Sequence, residues 1–580
     1  MLEPSDNHII MASDEANTLA PPTMTKAYLL GVPPEIHRLF LDLLHKKDLN
    51  SLSRTCRELH GIAAPHLHKR MVIRPARVIT ELSNIRERTA EWVKSIEFFP
   101  AESGETNLPR YDSPYEPGGD LGISKFPNLR AVHLHGHDHR MRRATMVLLK
   151  GHKSITDLTL TFKQEYFLPA QCGEELRGLG SLEGLSVRLV NVGRDWPGVR
   201  SRKPWAPEDV VPIWDMITAN AGTLRALDLD FPFELDRWET LHTVNNQAPT
   251  TNNLFPTNTG LWERPLQLRD LKLQHLQNFG EVYAETKFFN PKALQSLSLV
   301  NCPGSDDALL ELASSLTNLK SLQIRNSVRD PLTIATLLQR LPALETLHIA
   351  LRRDSDFDYQ WLAPQKHSIK HLWIEVPDSK DQNNDDFEDW TNLQELAFTR
   401  FHAHNGRRAG VMCMKNLKIP ADLRILRLLH PPGHGRASNN LNSEQVTKMI
   451  ESLAIRQFRM ISTKYPKTYA GKRQRLYVKP RLEILAIGAR INAAHRYDRP
   501  RVLRLKFEHT ERLGKFKGLF ERTHINTFAR EYPKTTMLAY GELRGSRAWL
   551  GKHLTDEMQF FDEIQEEAVT LDQPDQPNGN

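Results

Sequence analysis

LQSLSLVNCPGSDDALLELASSLTNLKSLQI, residues 294–324, holds one complete structural unit and the start of the next. Leu294, Leu297 and Leu299 are spaced as an apolar residue, two others, an apolar residue, one other and an apolar residue. Leu319, Leu322 and Ile324 repeat that spacing. The alternation at the end of each run predicts a short strand with its large apolar side chains on one face. Between the runs, SDDALLELASSL predicts a helix, with Ser305 as its cap and Ala308, Leu309, Leu312 and Leu316 on its inner side.

The same spacing extends in both directions. Its starting positions at 268, 294, 319, 344, 369 and 393 lie 26, 25, 25, 25 and 24 residues apart. A period that regular predicts a stack of strand-plus-helix units rather than a singly wound domain. Further copies begin at Leu129, Ile155, Leu182, Leu224, Leu423 and Leu482, and Val93, Ile96 and Phe98 fit as an early one. PLTIATLLQRLP (331–342) and DVVPIWDMITANA (209–221) read as helices of the same kind. The wider gaps hold insertions at 100–125, 231–265 and 376–390, rich in Pro, Gly, Asn and acids, which read as loops.

The chain has 580 residues, enough for more than one domain, with 39% hydrophobic and 25% charged side chains. Its +7 charge is a small excess over 77 basic and 70 acidic residues, so a nucleic-acid partner is not expected. Cys56, Cys172, Cys302 and Cys413 have neither disulfide nor zinc spacing, which favours a reducing compartment, cytoplasmic or nuclear. Residues 1–27 carry early acids and no apolar core, as expected of a disordered leader and not of a secretory signal. With no run of 18 apolar residues, no membrane helix is expected.

GVPPEIHRLFLDLLHKKDLNSLSRTCREL, residues 31–59, reads as short helices. Pro34 and Glu35 suit a helix start, and Ile36, Leu39, Phe40, Leu43 and Leu44 form an apolar stripe. Asp48 starts a second helix carrying Leu49 and Leu52, a third runs from about Arg54 to Ala63, and Pro65 interrupts after it. Helices this short bury little against one another, so a partner surface or the rest of the chain is expected to cover them.

On Pro33, Pro34, Glu35, Ile36, Leu39, Phe40, Leu44, Asp48, Leu49, Leu52, Ser53, Cys56, Arg57 and Leu59, this segment resembles the F-box, the docking module of receptors for SCF-type cullin–RING ubiquitin ligases. Val32 departs from the leucine usual before the first proline, and Leu59 from the usual aromatic residue. The repeats that follow resemble leucine-rich repeats, although the asparagine or cysteine customary after each strand is patchy, with Asn301-Cys302 and Asn326 coming closest. Such proteins are common in filamentous fungi, and the chain is similar to that group. The resemblance implies an α/β fold: a helical F-box-like module at 28–75, then an irregular leucine-rich-repeat solenoid with insertions at 90–490. A C-terminal cap region at 491–571 and a polar tail at 572–580 complete the expected organisation.

The resemblance also implies a non-catalytic subunit of a ubiquitin ligase complex. Pro33, Pro34, Glu35, Ile36, Leu39, Phe40, Leu44, Leu49 and Leu52 would bind the SCF adaptor and through it the cullin, and the repeats would hold a target protein. A plain helical cap at 31–71 and an interaction scaffold unconnected to any ligase are the alternatives, with a nucleic-acid-associated repeat protein behind them.

If the leucines point inward, the residues between them line the other side of the sheet. Arg188, Asp228, Lys272, Arg325, His348, His371, Trp373 and Glu375 are the candidate target-binding residues, with Trp373 as an exposed aromatic anchor. His133, Thr159, Ser186, Asp230, Asp270, Gln274, Gln323, Glu395 and Arg427 fall in the same rows. HLHGHDH (133–139) could place two imidazoles on one strand face, but lacks a full ligand set, so neither a metal nor a cofactor is expected. No phosphate-binding glycine loop, H-E-x-x-H pair or serine elbow occurs, and no cysteine has the setting of a nucleophile. A helix is expected over 443–461, followed by basic runs at 465–481 and 496–518 within a 463–518 region, without a stacking platform of aromatics.

Overall fold

The computed structural model describes residues 46–73, 85–98, 125–134, 154–163, 173–190, 207–231, 264–351, 357–376, 387–399, 418–429, 481–487, 501–510 and 515–523. Isolated positions between them, such as Pro33, His37, Phe40, Leu41, Leu44, Leu149, Phe255, Leu453 and Gln457, are also described. Among the described residues sixteen strands form one sheet, in which each strand lies beside the next in sequence. They are β1 (Arg70–Ile73), β2 (Ser95–Phe98), β3 (Ala131–Leu134), β4 (Asp157–Lys163), β5 (Gly184–Val190), β6 (Ala226–Asp230), β7 (Asp270–Gln274) and β8 (Ser296–Val300). The series continues through β9 (Ser321–Arg325), β10 (Thr346–Ala350), β11 (His371–Glu375), β12 (Glu395–Thr399), β13 (Ile425–Leu429) and β14 (Ile484–Ile487). It ends with β15 (Arg501–Thr510) and β16 (Lys515–Thr523). Pairing is parallel from β1 to β14, and the last two strands turn back as an antiparallel pair.

The apolar spacing fixes the register. Leu271, Leu297, Leu322, Leu347, Leu372 and Leu396 are successive partners, as are Leu273, Leu299, Ile324, Ile349, Ile374 and Phe398. A one-residue slip would turn each row out of the core, so the pattern admits one alignment. Backbone bonds enforce the same alignment: Gln295 O accepts from the N–H groups of Lys320 and Ser321, Lys320 O from Glu345 and Thr346, and Glu345 O from Lys370 and His371. One carbonyl before each strand thus tethers the first two amides of the next unit.

The strands lie where the spacing put them, but the architecture differs from the leucine-rich-repeat solenoid. The sheet is continuous, largely parallel and not curled into a horseshoe. Among the described residues, helices of two turns or more follow β5, β7, β8 and β9. They are Pro207–Ala219, Phe279–Thr286, Asp306–Ala313 and Pro331–Arg340; a 3₁₀ segment, Tyr359–Gln365, follows β10. The asparagine turns are equally local. Asn301 and Asn326 adopt left-handed backbone, as does His275, and those three strand ends are consecutive.

Local chemistry seals the return segments. Ser305 precedes helix Asp306–Ala313 but does not cap it; its hydroxyl donates instead to Cys302 O at 2.6 Å. The Asp330 carboxylate accepts from Leu332 N at 2.9 Å and starts helix Pro331–Arg340. Three buried amides recur as clasps. Asn220 accepts from Leu182 N and donates to Leu179 O; Gln365 accepts from Leu344 N and donates to Leu338 O; Gln457 accepts from Leu482 N and donates to Leu423 O. Each satisfies backbone groups that burial would otherwise orphan. The insertion at 231–265 sends Phe255 into the core between Trp214 and Phe288, with ring centroids 4.6 and 4.9 Å away. The insertion ending at 390 places Phe387 and Trp390 there.

At the N-terminus, helices Lys46–Ser53 and Arg57–Leu67 enclose a small core of Leu41, Leu49 and Ala63, packed by Leu44, Leu52, Ile62 and Leu67. It is separate from the sheet's core. The second helix runs through Pro65, in its last turn, rather than breaking there.

Candidate functional site

Opposite the leucines, every second strand residue forms a face of three parallel rows. The middle row runs Glu97, His133, Thr159, Ser186, Asp228, Lys272, Ser298, Gln323, His348, Trp373, Ala397 and Arg427 in unbroken register. The row nearer the strand ends carries Arg188, Asp230, Gln274, Val300, Arg325, Ala350 and Glu375. The row nearer the strand starts carries Asp270, Ser296, Ser321, Thr346, His371 and Glu395. All eight candidate target-binding residues therefore share one face of the sheet.

The face is polar, yet its middle row is largely buried, and several of its charges are matched locally. Glu97 pairs with Arg70; Asp228 meets Lys272 at 3.4 Å; Asp230 meets Arg188 at 2.9 Å and His275 Nδ1 at 2.9 Å. His275 Nε2 receives the amide of Asn301 at 3.1 Å, and Asn301 Oδ1 receives that of Asn326 at 3.0 Å. That chain places the His275 proton on Nδ1, facing Asp230. A second chain crosses the middle row, where Ser298 donates to Gln323 Oε1 and Gln323 Nε2 donates to His348 Nδ1 at 3.0 Å.

From His348 onward the row becomes a stack. The His348 and Trp373 rings lie 5.2 Å apart, and the Arg427 guanidinium sits 4.8 Å from the Trp373 centroid on the far side of β12. Ala397 is the intervening residue in register, and its small side chain opens the space that Arg427 crosses. Trp373 is 1% exposed and Arg427 0%, which corrects the expectation of an exposed aromatic anchor. Trp373 instead supplies a ring face for a buried cation. Burial pushes Arg427 down to about 10, opposed by the Glu375 carboxylate. Burial, reinforced by the Arg325 charge, holds His348 well below the usual imidazole range. Arg427 was legible as a member of the row but not as the partner of Trp373, because that contact skips a strand.

The row nearer the strand starts is the accessible one. Ser296, Ser321, Thr346 and His371 are half-buried, and His371 Nδ1 lies 3.2 Å from Glu395. Asp270, at its head, is pushed up to about 6 by burial, against the lowering effect of Arg269.

Of the nine residues expected to meet an adaptor, Pro33 is exposed, Phe40 is 43% exposed, Leu44 and Leu52 are half-buried, and Leu49 is buried. Pro34, Glu35, Ile36 and Leu39 lie outside the described residues. So do His135, His137 and His139 of the histidine run, Cys172 and Cys413, most of 443–461, and all of 463–480. Cys302 is sealed in the core and its thiol is pushed up to about 12 by burial, which silences it as a nucleophile. Among the described residues no cluster of three or more His, Cys, Asp or Glu could hold a metal ion, and no helix is long and apolar enough to cross a membrane.

No family model and no curated protein matches the chain. The expectation of an F-box receptor for a ubiquitin ligase is therefore corrected on two grounds: no likeness to such components is found, and the uncurled sheet lacks the arc on which that receptor was to hold its target.

Proposed function

We propose that the chain is a non-catalytic binding platform whose polar sheet face holds an extended segment of another protein across the strands. The observation that carries this reading is the accessible row of Ser296, Ser321, Thr346 and His371, four half-buried hydrogen-bonding side chains in unbroken register. Their spacing of about 4.8 Å from strand to strand offers a polypeptide a regular series of donors and acceptors on a stiff base. Beneath and beside them, Asp228 pairs with Lys272 in the buried middle row and Asp230 with Arg188 in the row beyond, which favours a base that does not rearrange when the row is occupied. A sealed Cys302 and a His348 kept neutral by burial suit a rigid floor better than proton transfer or nucleophilic attack.

The test is quantitative capture from a cell extract by the full chain and by the double variant Ser321→Arg, Thr346→Arg, which puts two long cations on the row. Proteins held by the unaltered chain should be lost from the variant while its circular dichroism is unchanged. Identical captured sets would overturn the reading.

A further inference from the structure

The accessible row ends in a carboxylate that the sheet leaves uncompensated. From β6 to β12, Asp228 faces Lys272, Asp230 faces Arg188 and His275, Glu395 faces His371, and Glu375 acts on Arg427. Asp270 differs. Its partners in register are Ala226 on β6 and Ser296 on β8, and its carboxylate makes no hydrogen bond or ion pair among the described residues. Asp228 and Lys272 lie one step further along the strands and are engaged with each other at 3.4 Å. Arg269, its exposed neighbour in sequence, attracts the carboxylate from solvent without overcoming the effect of burial.

We propose that Asp270 is the anchor for a lysine or arginine side chain of the extended protein segment that the polar face binds. The inference rests on the platform reading above and names the chemistry of its partner. A partly desolvated carboxylate attracts a cation more strongly than one in open water. Ser296, next in register, supplies a hydroxyl acceptor for a remaining donor of an ammonium or guanidinium group. Ala226 on the other side leaves room for the long stem. A phosphate or a nucleic-acid strand would meet the wrong charge at this position.

The ionisation of Asp270 then regulates binding. The carboxyl is pushed up to about 6, so it is charged at pH 7.5 and about one-tenth charged at pH 5.0. Affinity scales with the competent fraction, so the dissociation constant rises about tenfold over that interval.

The experiment measures binding of labelled, end-blocked nonapeptides of Gly, Ser and Thr to the full chain by fluorescence anisotropy. The central residue is Lys, Arg, norleucine or Glu. The expected result is a preference of about tenfold for Lys and Arg at pH 7.5, lost at pH 5.0 and lost at both pH values in Asp270→Asn. A preference that survives in Asp270→Asn overturns the anchor. Equal binding of all four peptides that Ser321→Arg abolishes overturns the anchor and leaves the platform standing. No binding by any peptide overturns both. Folding is monitored by the thermal midpoint, which Asp270→Asn should hold or raise at pH 7.5, since it removes a charge that burial disfavours.

Discussion

Leu347 and His348 are consecutive residues of β10, equally buried, and on opposite faces of the sheet. Leu347 meets Leu322 and Leu372 in register, three side chains of one type whose attraction has no direction. His348 meets Gln323 and Trp373, one through a specific ring nitrogen and the other through a ring contact. The apolar face is thus held by volume and the polar face by the identity of each neighbour. A change that preserves size should be tolerated on the first face, and a change that preserves polarity need not be tolerated on the second.

The contrast breaks most forcefully on the leucine side. Leu347→Ala removes atoms from the middle of a row sealed on both sides by other units, where collapse around the gap is limited. The expected loss is about 2–5 kcal/mol of unfolding free energy, read by urea denaturation, whereas Leu347→Met should cost less than about 1.5 kcal/mol. On the polar side the informative change is Ala397→Leu. Its side chain would occupy the space between Trp373 and Arg427, where the guanidinium lies 4.8 Å from the ring, at an expected cost of about 1–3 kcal/mol. Adding Arg427→Met to that variant should restore part of the loss, because a buried cation exchanged for an apolar chain of similar length is often neutral or better. Strict additivity of the two changes would mean that Ala397 does not gate the contact.

These two faces were unequally legible. The leucine spacing located β2 to β14 and their register, because period-two burial leaves a trace in each strand separately. The same alternation placed Arg188, Asp228, Lys272, Arg325, His348, His371, Trp373 and Glu375 together. It did not show which would be buried, since exposure depends on what lies over a strand and not on the strand's own pattern. β1, β15 and β16 were not anticipated from the sequence and were found only in the structure, although Leu503, Leu505 and Phe507 of β15 alternate in the same period-two manner. Curvature was misread for a related reason. It is a property of the space between units, and the apolar spacing of the strands is silent on that. The anchor at Asp270 was likewise invisible. Its residue type is common on the face, and what sets it apart is that Ala226 and Ser296, and not a cation, are its partners.

The subtlest contrast between the faces is in their response to acid, which the leucine rows cannot sense. In the folded chain His348 is enclosed by β9 and β11, accepts from Gln323, and lies near Arg325, so its imidazole stays neutral to well below pH 6.5. In the unfolded chain it takes up a proton at about pH 6.5. The unfolded state therefore binds more protons below that value, and stability must fall as pH falls. The contribution is fully present above about pH 7 and erodes between 6.5 and the depressed folded value, by about 1.4 kcal/mol for each pH unit. Unfolding free energies from pH 8 to pH 5 would compare the unaltered chain with His348→Gln, which keeps a polar side chain beside Gln323 and removes the titration. The difference between the two profiles should be flat above neutrality and should tilt in favour of the variant below it. Other titrating groups, Asp270 among them, affect both profiles alike and cancel in the difference. Parallel profiles across the whole range would mean that protonated imidazole is accommodated beside Arg325, and that the polar face is less tightly closed around His348 than its 1% exposure indicates.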